Sequence, residues 1–385
     1  MISQPFNSFL MGGFECSTHK DNQGRRLDLI ESTQHERFAL QDYARLAEVG
    51  MKTCRDGLRW HLIEKEPYKY DFSSVKEQVR ASHETGVQVM WDYFHYGYPD
   101  DIDIFSEQFL DRFIAFTTAA TEYLNSEFGD HIVACPVNEI SFFSWVAGTA
   151  GAFHPGRRRR GHDLKEQLVR AAIASTREIR SVCPSTKIMF TDPAIHVVTN
   201  KTSRSARLAA ERYRLAQFEA FDMLMGIKNP EFGGSPDVVD VVGLNYYFHN
   251  QWFYANRRKI APDHKLYRPL SEILAEFYTR YDKPLLIAET GIEDDERPEW
   301  FRYVAEQTIA ARAIGVPVYG ICLYPIVNHP GWADDRHCHN GLWDYADDSG
   351  QREIYSPLAR EIEAQAQLLN VQNPADFQTA VTQPA

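Results

Sequence analysis

The sequence predicts an α/β protein in which eight strands alternate with helices and close into a single-domain (β/α)8 barrel. Three observations carry that reading. Eight short apolar runs recur at intervals of a few tens of residues, with the lengths and β-branched or aromatic content of strands buried on both faces. Segments with apolar residues at helical spacing lie between them. No Gly-rich phosphate loop follows the first run, which counts against the doubly wound nucleotide-binding alternative.

The elements follow in order. Residues 8–14 form the first strand. Residues 38–49 have helical spacing, and Gly50 can stop that helix. The second strand spans 51–58, and a helix over 74–85 ends before Gly86. The third strand, 87–94, leads to a long helix over 109–128 with Gly129 behind it. The fourth strand is 132–137, followed by a helix over 164–182. The fifth is 187–191, followed by one helix over 205–225. The sixth is 238–245, with a helix over 270–281, and the seventh is 284–289, with a helix over 298–314. The eighth strand is 316–323. The barrel is expected to occupy 1–370. Residues 371–385, polar with Pro374 and Pro384, read as a surface tail.

Composition narrows the function classes. The chain is 44% hydrophobic and 24% charged, as soluble globular proteins are. Its aromatic content of 13% suits a large core, or flat faces on which a ligand such as a sugar can stack. Asp and Glu outnumber Lys and Arg by 53 to 41, the reverse of a nucleic-acid footprint. The run Arg157-Arg158-Arg159-Arg160 reads as a solvated loop, with an anionic substrate group as the sharper alternative. Six cysteines (16, 54, 135, 183, 322, 338) lack paired spacing and behave as small hydrophobes in or beside apolar runs. The opening MISQPFNSFLMGGF has neither the basic start nor the long apolar segment of a signal peptide. No apolar run approaches the ~18 residues a membrane span needs. These features predict a cytoplasmic protein with reduced thiols. No cofactor, metal, nucleic-acid or membrane partner is expected.

Functional residues of such barrels sit at the C-terminal ends of the strands. The second run gives Arg55 and then Arg59, on the same strand face by period. The third gives Phe94-His95-Tyr96, the fourth Asn138-Glu139, and the sixth Asn245-Tyr246-Tyr247. The seventh gives Glu289, and the eighth leads to Asn328-His329 and Trp332. Glu139 and Glu289 matter most. Glycoside hydrolysis needs one carboxylic acid to protonate the leaving oxygen and one carboxylate on the opposite side of the sugar. A short separation lets the second attack and retains configuration, and a longer one admits water and inverts it. Taken singly, each residue has a blander reading: a strand-end carboxylate, a salt-bridge arginine, a core histidine, a packing Trp or Tyr. His337-Cys338-His339 near Asp334 and Asp335 resembles a metal cluster, but such close ligands on one loop rarely close a tetrahedral site.

Seven fragments, in order, resemble glycoside hydrolase family 1, the β-glucosidase-like retaining barrel glycosidases. SFLMGGFECSTH is similar to that family's opening strand, FHYGYP to its His-Trp-Asp-Leu-Pro segment and GAFHPG to its Ala-Pro-Gly loop. VNEI and LIAETG resemble its paired glutamate motifs, VVGLNYY its sixth-strand motif and HPGWADDRHCHNGLWDYAD its ending. The resemblance implies Glu139 as acid/base and Glu289 as nucleophile, with Arg55 and Tyr247 contacting Glu289. It implies Asn138 on the sugar 2-hydroxyl, His95 on other hydroxyls and Trp332 as a stacking floor, with Asn245 and Arg59 also toward substrate. The chain departs from the family at two positions that normally grip the terminal sugar: His19 stands where the family has Gln, and Gly331 where it has Glu. A divergent member with an atypical glycone is therefore expected, a retaining exo-glycosidase of β-linked glycosides. A transglycosylase shares its first half-reaction, a non-catalytic carbohydrate-binding barrel would not need both glutamates, and a metal-dependent barrel hydrolase would need more His and Asp at strand ends.

Overall fold

The computed structural model describes residues 4–370, so the expected tail over 371–385 lies outside the described residues. Eight parallel strands close a barrel in chain order, the last pairing with the first. They are β1 (Leu10–Gly13), β2 (Thr53–Gly57), β3 (Gln88–Asp92), β4 (Val133–Cys135), β5 (Lys187–Pro193), β6 (Val241–Asn245), β7 (Leu285–Thr290) and β8 (Val318–Leu323). Each lies within or against one of the eight apolar runs.

Side chains along these strands divide with period two. Met11, Met90, Val133, Met189, Val241 and Leu286 belong to one buried cluster, which fills the barrel. Their neighbours Leu10, Val89, Ala134, Ile188, Val242 and Leu285 belong to the larger core under the helices. Burial on both faces is why the strands read as continuous apolar runs rather than alternating ones.

The outer ring comprises α1 (His35–Glu48), α2 (Lys76–Thr85), α3 (Glu107–Phe128), α4 (Gly161–Val182), α5 (Arg204–Leu215), α6 (Leu270–Tyr281), α7 (Arg297–Ala313) and α8 (Ser356–Asn370). Ser106 caps α3 by accepting from the Phe109 N–H. Gly86 ends α2 at φ 71°, a left-handed position where a side chain is strained. The single helix expected over 205–225 is broken. A 3₁₀ turn, Ala216–Phe218, separates α5 from a short helix, Glu219–Leu224. There Gln217 turns inward, and its Oε1 accepts from the Ile195 N–H beyond β5. α8 goes beyond the expected set. Among the described residues no helix is long and apolar enough to cross a membrane.

Candidate active site

The C-terminal ends of the strands surround a cavity of about 880 Å³. Glu139, Glu289, His95, Asn245, Tyr247 and Trp332 line it. Arg55 and Asn138 lie immediately behind the lining, each fully buried.

Glu289 reaches the cavity through an irregularity in β7. The pairing with β6 runs Leu244 to Ile287 and then Asn245 to Glu289, so one extra residue of β7 is accommodated at Ala288. Simple alternation would turn Glu289 away from Ala288 and the barrel interior. The bulge re-aims it. Its Oε1 accepts from Arg55 Nη1 at 2.7 Å and its Oε2 from the Tyr247 hydroxyl at 2.8 Å. Arg55 also holds Asp92, through Nε at 3.1 Å and Nη2 at 2.8 Å. Burial holds the proton affinity of Glu289 above the usual carboxylate range, against the opposing pull of Arg55 and Tyr247.

Glu139 is presented differently. Beyond β4 the chain stays in register as far as a bridge between Asn138 and Thr191, with the Asn138 N–H on Phe94 O at 2.9 Å. Glu139 then takes a left-handed conformation, φ 46° and ψ 60°, ahead of a short helix, Ile140–Trp145. Tyr96, at φ 71°, is left-handed too. Two bulky non-glycine residues in this sparsely populated region cost on the order of 1–3 kcal/mol each, strain of a kind that concentrates at functional sites. Glu139 Oε1 accepts from Asn245 Nδ2 at 2.9 Å, and Oε2 accepts from the Tyr96 hydroxyl. No cation pairs with Glu139 among the described residues. Burial and then the charge of Glu289 hold its carboxyl well above the usual carboxylate range. Asp192, at the end of β5, is pushed by burial up to about 7 while accepting from the Ser141 N–H.

Asn138 joins the two carboxyls. Its Oδ1 accepts from Arg55 Nη2 and Thr191 Oγ1, both at 2.6 Å. Because a guanidinium only donates, this fixes the amide orientation. Its Nδ2 then donates to His95 Nε2 and to the Tyr96 hydroxyl, both at 3.0 Å. The partners also dictate the His95 tautomer, since Nδ1–H points at Asp92 Oδ2, 2.9 Å away. A continuous path therefore runs Glu289–Arg55–Asn138–Tyr96–Glu139. All four hydrogen-bonding positions of the Asn138 amide are filled, so a sugar hydroxyl reaches it only by displacing a neighbour.

Arg59 and His19 need correction. β2 stops at Gly57 and the chain turns into a short helix, Trp60–Ile63, so Arg59 no longer shares the face of Arg55. It pairs instead with Glu36 at 2.5 Å and Asp28 at 3.3 Å, outside the cavity lining. His19 is 1% exposed and stacks on Phe153 at 3.8 Å, edge-on to Trp332, so it supports that indole from behind. Both its ring nitrogens are buried without a partner, and burial lowers its pKa to about 3.

The loop at 337–339 spreads apart. Cys338 Sγ turns to Arg336 O at 3.7 Å, Asp335 pairs with Arg25, and Asp334 with Arg336. His337 and His339 stay together, with Asp344 close enough for a shared ion, and His337 Nε2 lies 2.6 Å from Asp344. Arg157, Arg158, Arg159 and Arg160 are exposed and outside the cavity lining, with Arg160 stacked over Phe105 and paired with Asp163. Sequence reasoning missed Glu15, which lines the cavity, and did not single out Tyr96 or Asp92. The strand-end rule would have reached Glu15, two residues past β1.

No family model and no curated protein matches the chain. Solved structures do match. A family 1 β-glucosidase from Thermotoga maritima in complex with isofagomine lactam has a TM-score of 0.72 at 17% identity, covering 86% of this chain and 87% of that one. The same organism's β-glucosidase in complex with glucoimidazole has a TM-score of 0.74 at 15% identity, covering 94% and 98%. The AHE enzyme from Alicyclobacillus herbarius has a TM-score of 0.75 at 17% identity, covering 94% and 99%. In three dimensions, then, the chain has the (β/α)8 fold of the family 1 β-glucosidases.

Proposed function

We propose that the protein is a retaining exo-glycosidase acting on a β-linked glycoside by double displacement, with Glu289 as nucleophile and Glu139 as acid/base. The observation that carries this reading is the unequal partnering of two buried carboxyls at the ends of β4 and β7. Glu289 is held by a guanidinium and a phenol, which favour its ionised form. Glu139 sits among neutral donors and feels the charge of Glu289, which favours its protonated form. Carboxyls pushed apart in this way divide into a base and an acid. The solved neighbours crystallised with sugar-like inhibitors support a carbohydrate in the cavity.

In the first step a Glu289 oxygen bonds to the anomeric carbon as the glycosidic C–O bond breaks. The leaving oxygen takes the proton of Glu139. In the second step Glu139 removes a proton from water, whose oxygen displaces Glu289 from the same carbon, and Glu139 is protonated again. Transfer of the α-bound sugar from Glu289 to water restores the β configuration. The Arg55–Asn138–Tyr96 path keeps the two carboxyls in register during the exchange.

Azide rescue of Glu289→Gly tests the assignment. Hydrolysis of nitrophenyl β-glycosides is lost, and azide restores turnover as an α-glycosyl azide, since azide then attacks once from the face Glu289 vacates. Near-normal hydrolysis by Glu289→Gly, or a β-glycosyl azide from it, overturns the assignment.

A further inference from the structure

The glutamate pair leaves one acid of the cavity without a task. Glu15 lines the same space and is 7% exposed. Among the described residues its only hydrogen bond is from the Ser17 N–H to Oε1, at 2.9 Å. No cationic side chain pairs with it, and the cations around the cavity floor are engaged elsewhere. Arg55 holds Asp92 and Glu289, and Lys165 is paired with Glu219. Buried carboxylates are ordinarily balanced by a cation. Arg257 and Lys259 also line the cavity, but both are exposed and lie over aromatic rings, so among the described residues Glu15 is a buried cavity carboxyl with no cation paired to it.

The imbalance reaches the reacting groups. Burial is the first cause raising the proton affinity of Glu289, Tyr96, Tyr247 and Tyr324, and the charge of Glu15 adds to it at all four. A neutral sugar could offer Glu15 two hydroxyls, but it would leave the charge of Glu15 unpaired. A positive charge brought by the substrate would neutralise it and at the same time favour the ionised form of Glu289.

We propose that Glu15 is a specificity residue that selects a glycone carrying a protonated amino group, an aminodeoxy sugar, and holds its ammonium at the deep end of the cavity. This rests on the glycosidase reading above and names its substrate class. The ammonium donates to the free oxygen of Glu15. Glu289, lining the same cavity, is a further negative group.

The test compares nitrophenyl β-glucosides and β-galactosides with their 2-, 3-, 4- and 6-amino-deoxy counterparts. In the wild-type protein at least one amino compound exceeds its parent in kcat/KM by tenfold or more, about 1.4 kcal/mol of selectivity. That ratio falls at least tenfold in Glu15→Gln. In the wild-type protein it also collapses as pH rises through the substrate's own amine pKa, a readout that needs no variant. Parents preferred at every position, or a ratio unchanged in Glu15→Gln, overturn the proposal. So does a ratio indifferent to amine protonation, which would make Glu15 a hydroxyl-binding residue. If the wild-type protein hydrolyses nothing, the glycosidase reading fails by itself, and calorimetric titration with the free aminodeoxy and parent sugars still decides the role of Glu15: tighter binding of an ammonium sugar, lost in Glu15→Gln, upholds it, and equal binding sinks it.

Discussion

Replacing Arg55 by Met removes the guanidinium while keeping an unbranched apolar stem. The structure sets the consequence. Arg55 is fully buried and donates to Asp92 at 2.8 and 3.1 Å and to Glu289 at 2.7 Å, so both carboxyls lose their cation at once. Asp92 keeps His95, and Glu289 keeps the Tyr247 hydroxyl. Breaking a buried ion pair by removing one partner costs roughly 3–5 kcal/mol. Arg55→Met should lower stability by about that amount at neutral pH, measured from urea unfolding midpoints. The kinetic effect has a definite sign. Arg55 is the leading influence lowering the proton affinity of Glu289, so its loss raises that affinity further. A nucleophile must be ionised, and the acid limb of kcat/KM therefore moves to higher pH and the bell narrows. Arg55→Lys should fall between the two, because a point charge cannot serve both carboxyls in one plane. A stability loss below about 1 kcal/mol together with an unmoved acid limb would refute the reasoning.

Two further perturbations follow from other contacts. Glu139→Gln should reduce kcat/KM by about 10²- to 10⁴-fold for glycosides with basic leaving groups and far less for activated aryl glycosides, which need no proton; equal losses across a leaving-group series would remove Glu139 as the acid. His35 is fully buried between Asp42 and Asp56, each 2.8 Å away; burial alone would lower its pKa, but Asp56 and Asp42 raise it to about 9. A folded pKa raised from an unfolded value near 6.5 contributes about 3 kcal/mol below pH 6.5, lost as pH climbs through 9, so unfolding midpoints should fall across that window in the wild-type protein and stay flat there in His35→Gln. Parallel slopes in the two proteins would show that another group is responsible.

The barrel was legible because its strands are buried on both faces. A run such as residues 284–289 needs no partner to be recognised as a strand, and the helices between runs carry their own spacing and glycine stops. What sequence could not supply is geometry finer than the period. By alternation alone Glu289 would point away from the barrel interior, and only the bulge at Ala288 brings it inward. Arg55 and Arg59 look equivalent four residues apart while the strand is taken to reach residue 58. Ending it at Gly57 sends Arg59 to Glu36. The break at Ala216–Phe218 depends on Gln217 reaching a loop twenty-two residues earlier, a contact with no local signature. Glu15, two residues past β1, lies within reach of the strand-end rule, but its meaning comes from Glu139 and Glu289, more than a hundred residues away in the chain. The family resemblance draws attention to Asn138 as a sugar ligand, whereas its amide is saturated by Arg55, Thr191, His95 and Tyr96.

The central claim is that the bound sugar passes through a covalent bond to Glu289. The direct measurement is peptide mass spectrometry after incubation with the activated 2-deoxy-2-fluoro form of the best-hydrolysed glycoside, which slows release of the intermediate. The account predicts stoichiometric mass gain of one glycosyl unit, confined to the peptide bearing Glu289 and absent from Glu289→Gly. A protein that hydrolyses the parent glycoside yet gains no mass, or one labelled on Glu139 or Glu15, would contradict it.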